Sequence, residues 1–323
     1  MPTTGEVTGT DGRLPDALSQ IPGRSWWGVV KRTVREFQED GLTDWAAALT
    51  YYGVLAVFPA LVVVVSLLGL LGDSATQALI DNLGAVAPGA ARDVFTTAIE
   101  ELQKSQRTAG LLAVVALLAA LWSASSYVAA FIRACNAIYD IREGRPFWKT
   151  TPLRVALTVL LVTLLAISAV AVVFTGGLAR QAGKLLGVGS TAVTVFDIVK
   201  WPALVLVVTF MIALLYWAAP NVRQPGFRWI TPGGVLAVLL WLVVSGVFAV
   251  YVANFGSYNK TYGTLAGVII FLVWLWLSNI AILIGAEFNA ELERARHIEG
   301  GMPPDEEPYA EPRDTRKMER KGT

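Results

Sequence analysis

The chain has one cysteine and one histidine in 323 residues, and only 16% of its residues are charged. A lone Cys135 excludes an internal disulfide, and with only His297 beside it there is no clustered set of soft ligands for a metal site. Ordinary soluble domains carry about 25% charged residues, so the shortfall argues against a soluble protein. A net charge of +1 gives no field that would gather nucleic acid. There is no Walker loop, glycine-rich dinucleotide turn or G-x-S-x-G elbow, so neither a cofactor nor a catalytic residue is assigned. The first 40 residues also lack an apolar run of signal-peptide type, and the first long apolar run, from Trp45, is expected to stay in the membrane.

The uncharged residues are gathered rather than scattered. Six stretches contain no Asp, Glu, Lys or Arg: 45–72, 108–132, 155–179, 201–222, 229–259 and 261–286. A run of roughly 20 apolar residues crosses a bilayer as a helix. The sequence therefore predicts an all-α integral membrane protein with spans at about 45–72, 109–132, 155–179, 201–219, 230–255 and 263–286. Assigned alternately to the two sides, the connecting segments carry nineteen Lys and Arg on one side and seven on the other. The positive-inside rule then places both termini in the cytoplasm.

Segments outside the spans add amphipathic helices. In 24–39, Trp27, Val30, Val34 and Phe37 recur at helical spacing opposite Lys31, Arg32, Arg35, Glu36 and Glu39. Such a helix lies either on the membrane surface or on the end of the bundle. Residues 73–107 suggest one or two external helices broken near Ala87-Pro88-Gly89, and 180–200 a shorter external segment. The tails, 1–23 and 296–323, are polar or proline-rich and are expected to be disordered on either side of a membrane domain at 24–295.

Polar groups at the span ends are the candidates for substrate contact or gating, because lipid makes needless ones costly. Arg133, Asn136 and Asp140 share one face at the end of span two, and Glu287 and Asn289 close span six on the same side. An Arg133–Glu287 ion pair fits that geometry; separate snorkelling of each group to the headgroups is the alternative. Lys260 stands in the tight turn on the opposite side. Among backbone devices, Pro59 should kink or break span one, and Gly263 and Gly267 offer a small-xxx-small face for helix packing.

The run Ala46-Ala47-Ala48-Leu49-Thr50-Tyr51-Tyr52 followed by Val57-Phe58-Pro59 resembles the first span of the YihY/BrkB family of bacterial inner-membrane proteins. Arg142-Glu143-Gly144-Arg145-Pro146-Phe147-Trp148, Tyr262-Gly263-Thr264-Leu265-Ala266-Gly267 and Gly285-Ala286-Glu287-Phe288-Asn289-Ala290-Glu291 extend the resemblance over roughly 24–295. It implies a six-helix bundle of the cytoplasmic membrane with no catalytic residue to carry over. One branch of the family is associated with export of lipid A-type precursors, and an old ribonuclease BN label is regarded as a misassignment.

Taken together, the sequence predicts a protein in contact with membrane lipids that moves, or helps move, a lipid-like or amphipathic substrate. A non-transporting scaffold of the envelope is the rival. A membrane-embedded hydrolase requires Ser125, Asn136 and Glu287 to converge. A cavity lined by Arg133, Asn136 and Glu287 would favour transport, and a solid core with an exposed groove would favour scaffolding.

Overall fold

A computed structural model describes residues 14–15, 18–69, 77, 80–81, 89–105, 111–173, 190–224, 226–254, 264–304 and 306–319. After a 3-10 turn at Leu18–Gln20 come α1 (Gly23–Glu39), α2 (Leu42–Gly69), α3 (Gly89–Ser105), α4 (Leu111–Ile138), α5 (Phe147–Val173), α6 (Ser190–Ala218), α7 (Phe227–Asn254), α8 (Thr264–Glu299) and the short α9 (Arg316–Glu319). The described residues hold no strand; one antiparallel bridge joins Val222 to Pro312. Four helical segments among them are long and apolar enough to cross a membrane: Phe147–Val172, Thr194–Ala218, Trp229–Ala253 and Ala266–Glu299. The first two predicted spans fall on α2 and α4, each a helix of 28 residues.

The central helix is α8, which packs against α1, α2, α3, α4 and α7. Small side chains let it sit there. Gly233 of α7 and Gly285 of α8 face each other so closely that a Cβ on Gly233 would collide with the Gly285 carbonyl, and one on Gly285 would fall 2.6 Å from Tyr216 Oη. Hydroxyls and amides then tie the helices together: Tyr127 Oη donates to Asn279 Oδ1 (2.8 Å), Asn279 Nδ2 to Thr50 Oγ1 (3.1 Å), and Trp241 Nε1 to Ser278 Oγ (3.1 Å). With lipid around the bundle apolar packing gains little between helices, so close backbone approach and such bonds carry the association.

Helix α1 ends in Gly41, whose φ of +61° favours glycine and lets the chain turn directly into α2. Ile21, Val29 and Trp26 seat α1 against Trp229, Phe288, Leu292 and Ala295, which places it on the end of the bundle. Its other apolar side chains, Trp27, Val30 and Val34, stay exposed. Both alternatives for 24–39 therefore hold in part: one stripe packs on protein, and another faces outward.

Three expectations need correcting. The external segment at 180–200 is helical from Ser190 onward and continuous with the helix that carries the fourth predicted span, while residues 180–189 lie outside the described part. The tail after 295 is not disordered over its described length. Helix α8 runs to Glu299, and the chain returns along the bundle, burying Tyr309 and Ala310. Its prolines forbid helix there but not an extended strap: Arg223 N donates to Glu311 O (2.9 Å), Arg313 N to Asn221 O (2.8 Å) and Lys317 N to Gly144 O (2.9 Å). At the other terminus, order begins before 24, since Leu18–Gln20 forms a turn and Ile21 is buried. Helix α3 begins at Gly89, and the predicted break at Ala87-Pro88 lies outside the described residues.

Candidate functional site

The N-terminal helix, the loop 139–146, the loop 219–226 and the strap all meet at one end of the bundle. Asn136 joins them: its Oδ1 accepts from Asn221 N (2.7 Å), and its Nδ2 donates to Glu143 Oε2 (3.0 Å). Arg145, itself buried, clamps Glu143 through Nε and Nη2 (both 2.7 Å) and donates to Ala219 O (2.7 Å). Burial opposes ionisation of Glu143, but the bonds from Arg145 outweigh it and hold the carboxyl below its usual range. Asn221, with no exposed surface, donates to Asp314 O (2.8 Å) and accepts from Asp314 N (3.1 Å), pinning the strap. Lys149 and Arg316 flank Asp314 and hold its carboxyl well below the ordinary range.

Asn289 works in the same way on α7. It accepts from Gly233 N (2.9 Å) and donates to Ile230 O (3.0 Å), next to Pro232, which interrupts the helical ladder. Asn136 and Asn289 are thus hydrogen-bonded within the protein.

Arg133 and Glu287 do not form the ion pair that their spacing allows. Arg133 is exposed, with its guanidinium over the Tyr52 ring at 5.6 Å. Glu287 is 1% exposed, and its carboxyl lies in hydrogen-bond reach of Asp40, the residue that caps α1. The second oxygen, Oε2, is buried and unpartnered. Burial, reinforced by Asp140, pushes the Asp40 carboxyl up to about 7. Around this pair lies an ion-pair network: Arg32 bonds Glu291, and Arg294 reaches Glu36 (3.5 Å), Glu291 (3.5 Å) and Glu307 (2.9 Å). The separation of the two residues is a matter of helix faces, since Arg133 points outward from α4 while Glu287 points into the bundle.

Other predicted positions resolve differently. Helix α2 continues through position 59, so Pro59 does not break it. Lys260 and Gly263 lie outside the described residues. A Cβ on Gly267 would meet nothing within 4 Å, and the tight helix contact belongs to Gly233 and Gly285 instead. Ser125 does not approach Asn136 or Glu287 for hydrolysis: its Oγ donates to Trp122 O (2.7 Å), eleven residues, or about 16 Å of helix, from Asn136. No group of three or more His, Cys, Asp or Glu among the described residues is arranged to hold a metal ion.

The open space lies elsewhere. A cavity of about 830 Å³ runs between α1, α7 and α8, walled by Trp26, Val30, Val34, Leu236, Leu240 and Phe288 among others. That volume falls within the range of ligand pockets, about 300–1,000 Å³. Its two threonines add little polarity, because Thr33 Oγ1 and Thr231 Oγ1 donate to their own helices at Val29 O (2.9 Å) and Phe227 O (3.0 Å) and are thereby satisfied. Sequence periodicity had marked α1 as amphipathic; it carried no sign that α1 and the α7–α8 pair would stand apart and leave a groove.

The family described as "Virulence factor BrkB" matches residues 33–310 of the chain. The chain is 32% identical over 264 residues to a Bacillus subtilis protein named ribonuclease-like protein YfkH, covering 82% of this chain and 93% of that one. It is also 32% identical over 298 residues to a UPF0761 membrane protein of Alkalilimnicola ehrlichii and 31% identical over 300 residues to one of Chromohalobacter salexigens. Those matches cover 87% of this chain in each case but only 63% and 68% of the longer relatives. No solved structure matches.

Proposed function

The chain belongs to the BrkB family of membrane proteins, and from that premise we propose that it is a six-span, non-enzymatic protein of the bacterial cytoplasmic membrane that binds a lipid-like or amphipathic substrate in the groove between α1, α7 and α8 and moves it or helps move it. The observation that carries the proposal is the groove itself. Its walls are apolar, and Val235, Leu236, Leu239 and Leu240 line it between two and four turns into α7, with Val235 and Leu239 exposed on the outside of the bundle. In a bilayer the neighbours of such a surface are acyl chains, so an alkyl chain is the natural occupant. Because a chain gains little by leaving lipid for an equally apolar groove, selection must come from shape and from the substrate's polar head.

The meeting of all four charged segments at one end supports a common side for both termini, and the lysine and arginine bias makes that side the cytoplasm. The ribonuclease-like wording attached to the Bacillus relative does not carry over, because the polar side chains here are spent on holding loops and strap in place.

A lipid analogue with a photoreactive alkyl chain tests the assignment. It should label the groove walls on α1, α7 and α8 above the outer face of α6, and Leu236→Trp should suppress that labelling. Equal labelling of both surfaces would remove the groove as a substrate site. Scaffolding is the competing account, favoured by the closed packing around Asn136 and Glu287; it predicts cross-links to a partner protein rather than to a saturable lipid.

A further inference from the structure

On the far side of the bundle, α4 presents an exposed stripe of Leu118, Trp122 and Arg133; Trp122 and Arg133, eleven residues apart, lie within about 20° of each other around the helix. Arg133 rests on Tyr52 of α2, and Arg154 of α5 rests on Trp122 with its guanidinium 4.5 Å from the ring centre. Neither arginine meets a carboxylate among the described residues, whereas Arg32, Arg145, Arg294, Arg296 and Arg316 all do. Arg154 Nε is buried with no hydrogen-bond partner. Phe147 and Trp148, exposed at the start of α5 two turns before Arg154, mark the depth at which aromatic side chains meet headgroups.

An arginine at the edge of the hydrocarbon is costly unless a counter-charge meets it, and here the protein supplies aromatic faces but no anion. We propose that the α2–α4–α5 face binds anionic phospholipid, with Arg133 beside Tyr52 and Arg154 beside Trp122 each meeting a phosphate. The planar guanidinium suits phosphate oxygens, which accept two parallel N–H bonds. The flanking Leu55, Leu118 and Trp122 are exposed and apolar, so the phosphate would arrive attached to acyl chains lying along the same face. The site is independent of the α1–α7–α8 groove and does not rest on it.

Native mass spectrometry of the full chain, offered phosphatidylglycerol and phosphatidylcholine with identical acyl chains, reads the preference directly. Wild type should retain phosphatidylglycerol selectively, and R133Q and R154Q should each lower that preference about fivefold. An unchanged preference in the folded double variant overturns the site. Phosphatidylglycerol bearing a photoreactive headgroup gives a measurement on the unaltered protein. Labelling should fall on peptides within 118–138 and 147–158 and be competed by unlabelled phosphatidylglycerol. Labelling spread evenly over the bundle contradicts the proposal. Full displacement by excess inorganic phosphate would assign the site to free phosphate and contradict the lipid.

Discussion

Asp40 at the end of α1 and Glu287 on α8 place two carboxyl groups in hydrogen-bond reach of each other, inside a surround that also holds Glu36, Asp140, Glu291 and Glu307. One proton between them satisfies both. Its loss would leave two like charges in a partly dry site.

The pH dependence of stability follows from Asp40. In the folded chain its carboxyl ionises only near 7, against 3.8 as its ordinary value, because burial and Asp140 disfavour the charge. Between those values the folded state holds more protons than the unfolded one, so stability falls as pH rises through that window and levels off above about 7. Thermal unfolding in detergent should show a higher melting temperature near pH 5 than near pH 7.5, and Asp40→Asn should flatten the difference. A wild-type profile already flat over that range would contradict the raised Asp40 carboxyl.

Arg133 and Glu287 should behave independently, since one lies on Tyr52 outside the bundle and the other is buried beside Asp40. The destabilisation of Arg133→Ala with Glu287→Ala should equal the sum of the single changes within about 0.5 kcal/mol. A coupling well above that value would restore the ion pair.

Gly285→Ala should be among the most damaging small substitutions. The added methyl would lie 2.5 Å from Gly233 O and 2.6 Å from Tyr216 Oη, and backbone cannot move aside cheaply. Overpacking of this kind costs about 1–3 kcal/mol. Gly267→Ala, facing open space, should be neutral within error in the same unfolding assay.

Asn221→Ala should free the strap. The change strips the side-chain partners from both the N–H and the carbonyl of Asp314, at a cost of about 1–3 kcal/mol where those groups stay buried. Trypsin should then cut after Arg313 and Arg316 faster than in wild type, with the bundle itself still intact. Unchanged cleavage would mean that the backbone bonds of Glu311, Arg313 and Lys317, with the Lys149–Asp314 pair, suffice to hold the strap.

What the sequence made legible was set by period and charge. Uncharged runs predict helices because lipid forbids unpaired backbone, and the helices Phe147–Val173, Phe227–Asn254 and Thr264–Glu299 overlie the runs that predicted them. Arg133, Asn136, Glu287 and Asn289 stand out in the sequence as polar groups at span ends, but sequence spacing does not say what a side chain meets across the bundle. That is why Asn136 closes on Asn221, 85 positions away, and Glu287 meets Asp40 rather than Arg133. The strap was illegible for a related reason: Pro303, Pro304, Pro308 and Pro312 signal the absence of helix, and nothing local reveals that Asn221 and Gly144 will receive an extended chain. The Gly233–Gly285 contact left a trace, two glycines in long apolar runs, yet many such glycines pack against nothing, as Gly246 and Gly267 do.

The most direct test of the groove as a path for substrate is translocation in vesicles containing only the purified chain. Headgroup-labelled phospholipid, followed by accessibility to an impermeant quencher, should exchange between leaflets faster with wild type than in empty vesicles, and Leu236→Trp should return the rate to that background. Wild-type exchange no faster than empty vesicles, or exchange unaffected by filling the groove, would contradict the account.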